Sequence, residues 1–426
     1  MNEGQPAPEG VDECSDRLPR RCDVLVIGAG IVGLATAHRL SERHPGIRIA
    51  VVEKERAIGL HQSGRNSNVI HAGVYYRPGS LRAALCRRGK EQLERFLSQH
   101  GIPHLRCGKL IVATTNREVS RLDDLAGRAA ANGVRAIRLD REGVRSVEPE
   151  CAGIAALHVA ESGVTEYPAV MRRLAALIRE RGHAIVTGCR VERIVEHSEA
   201  CIAETDAGTC EAGISVACAG LHSDRVARRS GMRPPARIIP FRGEYFELAP
   251  HACHLVKGLI YPVPDPSLPF LGVHLTITAT GGVECGPNAV LAFAREGYRF
   301  GDVNARDLAE TMAYPGFWRL AAKHWRSGLA EIRRSLDSGR FCASLQALVP
   351  AIRAEDLRPV PAGVRAQAVG PDGAMLDDFL IERRHRMVHV CNAPSPAATA
   401  CLAIADAIID RLGDVLPPAR RSGRDN

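Results

Sequence analysis

Residues 22–55 read CDVLVIGAGIVGLATAHRLSERHPGIRIAVVEKE and carry the strongest structural signal in the chain. The apolar run 24–27 is typical of a parallel strand that is buried on both faces. Gly28, Gly30 and Gly33 follow at GxGxxG spacing. In that pattern the first glycine permits a tight turn, the second lets a pyrophosphate approach the backbone, and the third lets helix and strand pack closely. Apolar residues then recur at helical spacing up to residues 45–46, and an apolar strand follows.

An acidic residue completes this pattern, because Glu53 stands twenty residues after Gly33. Carboxylates at that distance bind the ribose hydroxyls of a dinucleotide. The turn itself serves NAD and FAD equally. The next stretch, HQSGRNSNVIHAGVYY (61–76), is rich in glycine, asparagine and hydrogen-bond donors, which disfavours regular structure. It favours a loop beneath a flavin ring, since an NAD-binding domain would continue with another strand and helix.

Length and composition predict a globular chain of two domains. The 426 residues exceed what one hydrophobic core usually serves, and 45% are hydrophobic while 24% are charged. No run of eighteen apolar residues is present, so no membrane span is expected. The opening segment 1–21 is too acidic for a transit peptide and has no apolar core for a secretion signal. We therefore expect a disordered tail there and a cytoplasmic location.

Cysteines and charge indicate neither a metal site nor a nucleic-acid surface. The fourteen cysteines are scattered without a CxxC pair, and HACH (251–254) has no second half, so no metal is predicted. The net charge of +8 is spread along the chain. That distribution argues against a dedicated nucleic-acid face and fits an anionic substrate, whose encounter rate a positive potential raises.

Several motifs carry a resemblance to a known family. GAGIVG, EKE and HQSGRNSNVIHAGVYY resemble the L-2-hydroxyglutarate oxidase/dehydrogenase branch of the D-amino-acid oxidase superfamily of flavoproteins. The resemblance extends from about residue 22 to 412. Further matching blocks are CGKLIVAT (107–114), CAGLHSDR (218–225), IPFRGEYFEL (239–248), VKGLIYPVPDPSLPFLGVHLT (256–276), GPNAVLAFAREGY (286–298), PAGVRAQA (361–368), DGAMLDDF (372–379) and NAPSPAATA (392–400). Of these, VKGLIYPVPD and NAPSPAAT are specific to this branch.

The resemblance implies an α/β fold and an activity. It implies a discontinuous, Rossmann-like FAD-binding domain (22–92, 160–232 and 358–414) with an inserted antiparallel-sheet substrate domain (93–159 and 233–357, including an amphipathic helical segment 302–340). The segments 1–21 and 415–426 are expected to be flexible tails. The implied reaction is oxidation of L-2-hydroxyglutarate to 2-oxoglutarate by hydride transfer to flavin N5, with a quinone or O₂ as electron acceptor.

The resemblance also implies the residues that contact FAD. They comprise the glycine turn, the acidic residue and its neighbour, the polar loop, two strand ends, and a turn whose following helix directs free N–H groups at the flavin pyrimidine edge. These residues are Gly28, Ala29, Gly30, Ile31, Val32, Gly33, Glu53, Lys54, His61, Ser63, Arg65, Asn66, Ser67, Val191, Ala219, Gly220, Gly363, Pro394, Ser395, Pro396, Ala397 and Thr399.

Catalysis requires a base for the hydroxyl proton, and a dicarboxylate requires cations. His71 and His274 are the candidates for the base, because a neutral imidazole suits physiological pH, and we favour His71. The resemblance assigns Arg365 to the carboxylate beside the reacting carbon, where guanidinium binds bidentately. The remaining candidates for the distal carboxylate or cavity wall, each with a surface salt bridge as the alternative, are Arg242, Lys257 and Tyr261.

The segment 316–336, GFWRLAAKHWRSGLAEIRRSL, predicts a basic amphipathic helix, because its apolar residues fall on one helical face. Two interpretations stay open. The helix docks on the protein's own core, or it lies at an anionic membrane surface and brings the flavin near a quinone.

Departures from the family pattern concern the polar loop and one strand. Asn68 stands where the family has glycine, and asparagine tolerates positive φ better than other non-glycine residues, although it can narrow the pocket. Ser63 replaces a threonine, and GVTEY (163–167) replaces GIVDY.

Two rival functions stay open: a glycine-oxidase-like amine oxidase and a flavin-containing RNA-binding or interaction protein. The sequence leaves open the electron acceptor, the oligomeric state and any covalent flavin link.

Overall fold

The computed structural model describes residues 11–13, 16–266, 270–413 and 415–416. The strands in those ranges are β1 (Val11–Glu13), β2 (Arg21–Ile27), β3 (Ile49–Val52), β4 (Ala57–Ile58), β5 (Val69–Ile70), β6 (His104–Leu105), β7 (Lys109–Ala113), β8 (Ile137–Asp140), β9 (Ala155–Val159), β10 (Gly163–Thr165), β11 (Ala184–Val186), β12 (Val191–Glu196), β13 (Cys201–Thr205), β14 (Gly208–Ala217), β15 (Arg237–Leu248), β16 (Leu259–Pro262), β17 (His274–Ile277), β18 (Val283–Gly286), β19 (Val290–Leu291), β20 (Leu357–Val369), β21 (Leu380–Arg384) and β22 (Met387–Asn392).

The helices connect these strands and cover their faces. They are α1 (Ile31–Arg43), α2 (Leu81–Gln99), α3 (Asn116–Ala131), α4 (Arg141–Val147), α5 (Tyr167–Glu180), α6 (Ser223–Arg229), α7 (Ala305–Met312), α8 (Pro315–Leu336), α9 (Ser338–Gln346) and α10 (Cys401–Leu412). None of these described helices has the length and apolar character needed to cross a bilayer.

The first sheet is built on the predicted strand–helix–strand unit. Its order is β11-β3-β2-β14-β13-β12, and β22 also pairs with β14 and β21. Strand β2 pairs in parallel with β3 on one side and with β14 on the other, and β14 also pairs in parallel with β22. Strand β2 is therefore an interior strand of the sheet. Helix α1 packs against α5 and α10 over the sheet, and their apolar faces form the largest core cluster. The carboxyl ends of β2 and β14 therefore open at the same edge, where parallel α/β sheets bind ligands.

The second sheet is largely antiparallel, as the sequence predicts for residues 235–300. Its order is β19-β15-β18-β17-β16-β7-β9-β8, and β20 pairs along nearly the whole of β15. Strands β16 and β7 are the parallel pair in it. This sheet forms a second core with α9. Two sheets of these types confirm the mixed α/β fold class.

Two placements bear on the predicted domain boundaries. Strand β20 lies in the second sheet, although the sequence assigns 358–414 to the FAD-binding domain. Strand β1 lies inside the segment 1–21, which the sequence predicts to be a disordered tail, and it pairs with β4. Hydrogen bonding to a partner distant in sequence explains both differences. The remaining boundaries stay a prediction, and the rest of the two tails lies mostly outside the described residues.

Candidate active site

The glycine turn after β2 leaves room for a ligand at one position only. Gly28 has φ 100°, and a Cβ there would stand 2.4 Å from the Cys218 carbonyl oxygen. A Cβ on Gly33 would stand 1.9 Å from the Gly28 carbonyl oxygen. A Cβ on Gly30 would meet only the Ser63 Oγ, at 3.1 Å. Gly28 and Gly33 are thus needed for backbone packing, while Gly30 leaves open the space at the amino end of α1, where backbone N–H groups favour an anionic pyrophosphate.

Glu53 closes this cradle from the second strand. Its Oε2 accepts a hydrogen bond from the Ala29 N–H at 2.8 Å, and its Oε1 accepts one from the Glu55 N–H at 3.0 Å. The side chain lines the cavity next to the turn. A carboxylate held by backbone donors at this point fits the ribose hydroxyls of a dinucleotide.

A continuous cavity of about 1440 Å³ runs from the cradle to the second sheet. Most predicted site residues line it, including all three proposed catalytic residues and Tyr261. The predicted cofactor residues that line it are Gly28, Gly30, Ile31, Val32, Glu53, Lys54, His61, Ser63, Arg65, Asn66, Ser67, Val191, Ala219, Gly220, Gly363, Pro394, Ser395, Pro396, Ala397 and Thr399. The predicted site residues outside this lining are Ala29, Gly33, Arg242 and Lys257.

A cluster of charged groups lies at the cradle end of the cavity. Glu55, His61 and Glu296 place potential ligand atoms within 4.8 Å of one another. Lys54 Nζ, however, lies 2.5 Å from Glu296 and also contacts Glu55. The hydrogen bond from His61 and the charge of Lys54 lower the pKa of Glu55 to about 2. The cluster is therefore an ion-pair network that joins the polar loop to the segment after β19.

The two candidate bases stand in different surroundings at the other end of the cavity. The His71 N–H donates to Thr399 Oγ1 at 3.1 Å, and its ring Nε2 lies 3.3 Å from Ser395 Oγ. His274 Nδ1 lies 2.9 Å from the Gly272 carbonyl oxygen, and its ring stacks on Tyr261 with 3.9 Å between centroids. A carbonyl oxygen only accepts, so Nδ1 of His274 carries the proton and its Nε2 is an acceptor.

Burial keeps both imidazoles uncharged. Desolvation, together with the nearby charges of Lys109 and Arg82, holds the pKa of His71 well below its ordinary value. Desolvation lowers the pKa of His274 to about 3, assisted by the charges of Lys109 and Arg365. Both side chains are therefore available as proton acceptors at neutral pH.

Arg365 is a half-buried cation on β20 that lines the cavity. Its Nη1 donates to the Asn288 carbonyl oxygen at 3.0 Å, and its guanidinium carbon lies 5.3 Å from the centroid of the Phe270 ring. Burial lowers its pKa. Among the described residues, no carboxylate lies within ion-pair distance of this guanidinium. A half-buried cation without a carboxylate partner that faces a cavity suits an anionic ligand.

Arg242 and Lys257, predicted as substrate contacts, are not among the residues that line the cavity. Arg242 is only 2% exposed, but it pairs with Glu244 at 3.1 Å and donates to the Arg299 carbonyl oxygen. Side chains alternate along β15, so the neighbours Gly243 and Tyr245 face the cavity instead. Lys257 is exposed, and its backbone N–H donates to Glu148.

Asn68 has φ 56°, so it keeps the backbone path expected of a glycine. Its side chain does not narrow the cavity. The Asn68 Oδ1 accepts from the Tyr167 N–H at 3.4 Å, next to the start of α5, and the residue is absent from the cavity lining. This departure from the family pattern therefore leaves the site's shape intact.

Two residues of the substrate end escaped the sequence analysis, Lys109 and Tyr75. Lys109 opens the apolar strand β7 and is only 3% exposed. Its Nζ lies 4.0 Å from the Tyr261 ring centroid and 5.5 Å from the Tyr75 ring centroid. The sequence signal that could have indicated Lys109 is a lysine at the start of a run of four apolar residues, within the matched block CGKLIVAT.

The fold, which is built on two large sheets, and the cavity between its elements together define a FAD-dependent oxidoreductase. The glycine cradle, the ribose-binding carboxylate and the polar loop fit FAD, and the second sheet encloses a substrate compartment. The chain belongs to the family of FAD-dependent oxidoreductases called DAO, whose model matches residues 23–411. The predicted cofactor and enzyme class are thereby confirmed.

Three relatives named L-2-hydroxyglutarate dehydrogenase are similar to nearly the whole chain. The chain is 44% identical to the L-2-hydroxyglutarate dehydrogenase of Indibacter alkaliphilus, over 91% of this chain and 98% of the relative. It is 43% identical to the enzyme of that name from Escherichia coli K12, over 94% and 96%. It is 41% identical to the human mitochondrial one, over 92% and 88%. The predicted resemblance is thereby confirmed.

Solved structures agree on the fold. An FAD-bound L-α-glycerophosphate oxidase from Mycoplasma pneumoniae superposes with a TM-score of 0.76 at 21% identity, covering 93% of this chain and 95% of that one. A glycine oxidase from Geobacillus kaustophilus gives 0.70 at 17% identity, covering 95% and 99%. At these identities the likeness concerns the fold alone.

Proposed function

We propose that this protein oxidises L-2-hydroxyglutarate to 2-oxoglutarate with FAD as the hydride acceptor. Relatives that are 41–44% identical over more than 90% of the chain carry that activity in their names. The observation that carries the proposal is Arg365, a half-buried guanidinium without a carboxylate partner among the described residues, in one cavity with two uncharged imidazoles. A 2-hydroxy acid supplies the missing anion and the proton that an imidazole accepts.

Each residue of the site has a separate role in the proposed reaction. Arg365 binds the carboxylate next to the reacting carbon and fixes that carbon in position. An imidazole removes the hydroxyl proton, while the C2–H bond gives up its electron pair as hydride. Bound FAD supplies the acceptor for that hydride at N5. The product is the 2-oxo acid, the proton stays on the imidazole, and the two electrons leave the substrate.

We assign the base role to His71. Its backbone N–H donates to Thr399 and its ring Nε2 lies next to Ser395, and both partners belong to the turn that precedes α10, which is the proposed flavin-contact segment. Its carbonyl oxygen accepts from Cys86 Sγ. Its Nε2 faces a hydroxyl group, which accepts or donates and therefore tolerates both ring charge states. His274 lies across the compartment with its tautomer fixed by Gly272. In this arrangement His274 accepts a hydrogen bond from the substrate and orients it.

We infer that electrons pass on to a quinone in a membrane that the protein meets through α8. The helix is kinked at His324, and its first turns dock on the protein's own core through Leu320. The other large apolar side chains of its predicted face are exposed, namely Trp318, Trp325, Leu329, Ile332 and Leu336. Trp318 is 55% exposed and Trp325 is 56% exposed. Five Lys or Arg residues and one Glu accompany them on the helix. An apolar face flanked by cations is the pattern of helices that lie on anionic lipid.

The substrate proposal is tested by anaerobic mixing of FAD-loaded protein with single acids, following the loss of flavin absorbance. We expect bleaching by L-2-hydroxyglutarate, with the D-enantiomer, L-lactate and glycine at least about 100-fold slower in kcat/KM, a ratio that buried polar recognition reaches. Faster reduction by glycine would favour an amine oxidase. A flavin that L-2-hydroxyglutarate leaves oxidised would refute the proposal.

The membrane proposal is tested by sedimentation with vesicles that contain anionic lipid. Arg326→Glu with Arg333→Glu should release the protein, because each basic residue contributes about 1 kcal/mol near such a surface. Arg135→Glu with Arg145→Glu, two exposed arginines outside α8, is the matched control. Equal binding of both double variants would contradict a lipid contact through α8. Steady-state rates with a soluble quinone and with O₂ identify the acceptor.

A further inference from the structure

The substrate end of the cavity contains more positive than negative charge. Of the acidic residues that line the cavity, Glu53, Glu55, Glu192 and Glu296 belong to the cradle end, and Asp377 pairs with Arg82. Asp265 pairs with Arg121 of α3 and, with Asp124, completes the acidic lining. The described residues thus provide no carboxylate partner for two cations, the half-buried Arg365 and the buried Lys109. A ligand with two negative charges would balance both.

Lys109 is enclosed by aromatic rings and histidines. Its Nζ lies over the Tyr261 ring at 4.0 Å and beside the Tyr75 ring at 5.5 Å, and both rings line the cavity. Its charge acts on both candidate bases, lowering the pKa of His71 and of His274. Burial in turn lowers the pKa of Lys109 to about 7. A lysine without a carboxylate partner at this depth is electrostatically costly unless a ligand compensates it.

Tyr75 supplies a second, independent sign of a missing ligand group. Its Oη is buried and has no hydrogen-bond partner among the described residues. Buried hydroxyl groups are nearly always satisfied in native proteins, so an orphaned one beside a cavity indicates a ligand acceptor. A carboxylate placed there would accept from Tyr75 Oη and lie close to the charge of Lys109.

Other cations near the cavity are already engaged. Arg82 contacts the Asp377 carboxylate and donates to the Ser395 carbonyl oxygen. Arg65 donates to the carbonyl oxygens of Leu60 and Ala362 and stacks over Tyr298 at 3.9 Å. Arg65 therefore holds the polar loop, and Arg82 holds the turn before α10. Arg128, which also lines the cavity, is exposed and donates to the Tyr75 carbonyl oxygen. Lys109 lies outside the lining, behind Tyr75 and Tyr261, and is left as the buried counterpart of Arg365.

We propose that Lys109 and Tyr75 form the subsite for the second carboxylate of a dicarboxylic substrate and so make the enzyme select diacids over monoacids. The inference rests on the proposed function and deepens it. Tyr75 donates a hydrogen bond to the distal carboxylate, and Lys109 supplies its countercharge from behind the tyrosine pair. Arg365 holds the other carboxylate. A monocarboxylic acid of the same length leaves Lys109 uncompensated and Tyr75 Oη unpaired, which disfavours its binding.

The test compares L-2-hydroxyglutarate with L-2-hydroxypentanoate, which carries a methyl group in place of the distal carboxylate. Lys109→Met should lower kcat/KM for the diacid about 100-fold, the effect of removing one partner of a buried charge pair, and lower it for the monoacid by less than about threefold. Tyr75→Phe should lower the diacid value about tenfold, the effect of one hydrogen bond to a charged group. Lys109→Arg should retain part of the preference for the diacid.

Lys90→Met is the matched control, because Lys90 is also buried but pairs with Glu94 and Glu161 outside the cavity lining. It should leave the ratio of the two kcat/KM values unchanged. If Lys109→Met yields no FAD-loaded protein, Lys109→Gln and Tyr75→Phe are measured in its place. Equal losses with diacid and monoacid, or an unchanged ratio, would overturn the subsite. A wild-type enzyme inactive on L-2-hydroxyglutarate would refute the proposed function itself.

Discussion

Gly30→Ala should separate cofactor binding from folding. Gly30 has φ −74°, which alanine adopts without strain, and the new Cβ would meet only the rotatable Ser63 hydroxyl at 3.1 Å. Gly30 is also the N-cap of α1, where alanine is less favourable than glycine by about 1 kcal/mol. We therefore expect the apoprotein to fold with a loss of about that size. Gly33→Ala instead drives a Cβ to 1.9 Å from a backbone oxygen, so the turn itself must move.

The loss of FAD affinity follows from the space that Gly30 leaves open. A methyl group there pushes the pyrophosphate away from the amino end of α1, and each hydrogen bond to a charged group contributes about 1.5–3 kcal/mol. One such bond corresponds to about a 10- to 150-fold rise in Kd. Gly30→Ala should thus bind FAD at least about tenfold more weakly while its apoprotein stays folded.

The assay is titration of apoprotein with FAD, followed by flavin fluorescence, beside thermal unfolding of each apoprotein. Gly33→Ala is the contrast, and it should lower the unfolding temperature far more than Gly30→Ala does. Two results would refute the reasoning. One is an FAD Kd for Gly30→Ala within about threefold of the wild type, since that is less than the smallest hydrogen-bond loss. The other is equal destabilisation of the two apoproteins.

Four further outcomes follow from the substrate end. Arg365→Lys should raise KM and lower kcat in steady-state assays, because a lysine cannot bind a carboxylate bidentately, and unchanged kinetics would remove Arg365 from the site. His71→Gln should slow anaerobic flavin reduction without releasing FAD, whereas a variant as fast as the wild type, with His274→Gln slow instead, would move the base role to His274. Because the pKa of His274 is about 3 and that of His71 is also depressed, neither imidazole should titrate between about pH 6 and 8. Any change in kcat/KM for the diacid in that range should come from Lys109, whose pKa is about 7, and should disappear in Lys109→Met. The depressed pKa values of the two histidines stabilise the fold above about pH 6.5, and the free energy of unfolding should fall as pH decreases below that value, measurable by urea denaturation.

The sequence predicted the cofactor cradle well because its signals are local. GxGxxG, the following helical spacing and Glu53 specify one turn and its backbone approach within about thirty residues, and neighbours in the chain supply most of the contacts. The positive φ of Asn68 was foreseeable for the same reason, since the requirement lies in one residue's own backbone. Family motifs extended the prediction to His71, His274 and Arg365, all of which line the cavity.

The tertiary structure alone showed which cations lie beside the residues that line the substrate end of the cavity. Arg242 and Lys109 are both buried basic residues on strands, but side-chain direction in a sheet depends on strand register, which pairing partners far away in the sequence determine. That register turns Arg242 toward Glu244 and places Lys109 beside Tyr75 and Tyr261. Only the tertiary structure showed that most of the apolar face of α8 is exposed. The amphipathic pattern of the helix is equally compatible with a core and with a surface. Local spacing thus determined the cofactor turn by itself, whereas the assembly of distant strands determined the charge balance of the substrate compartment.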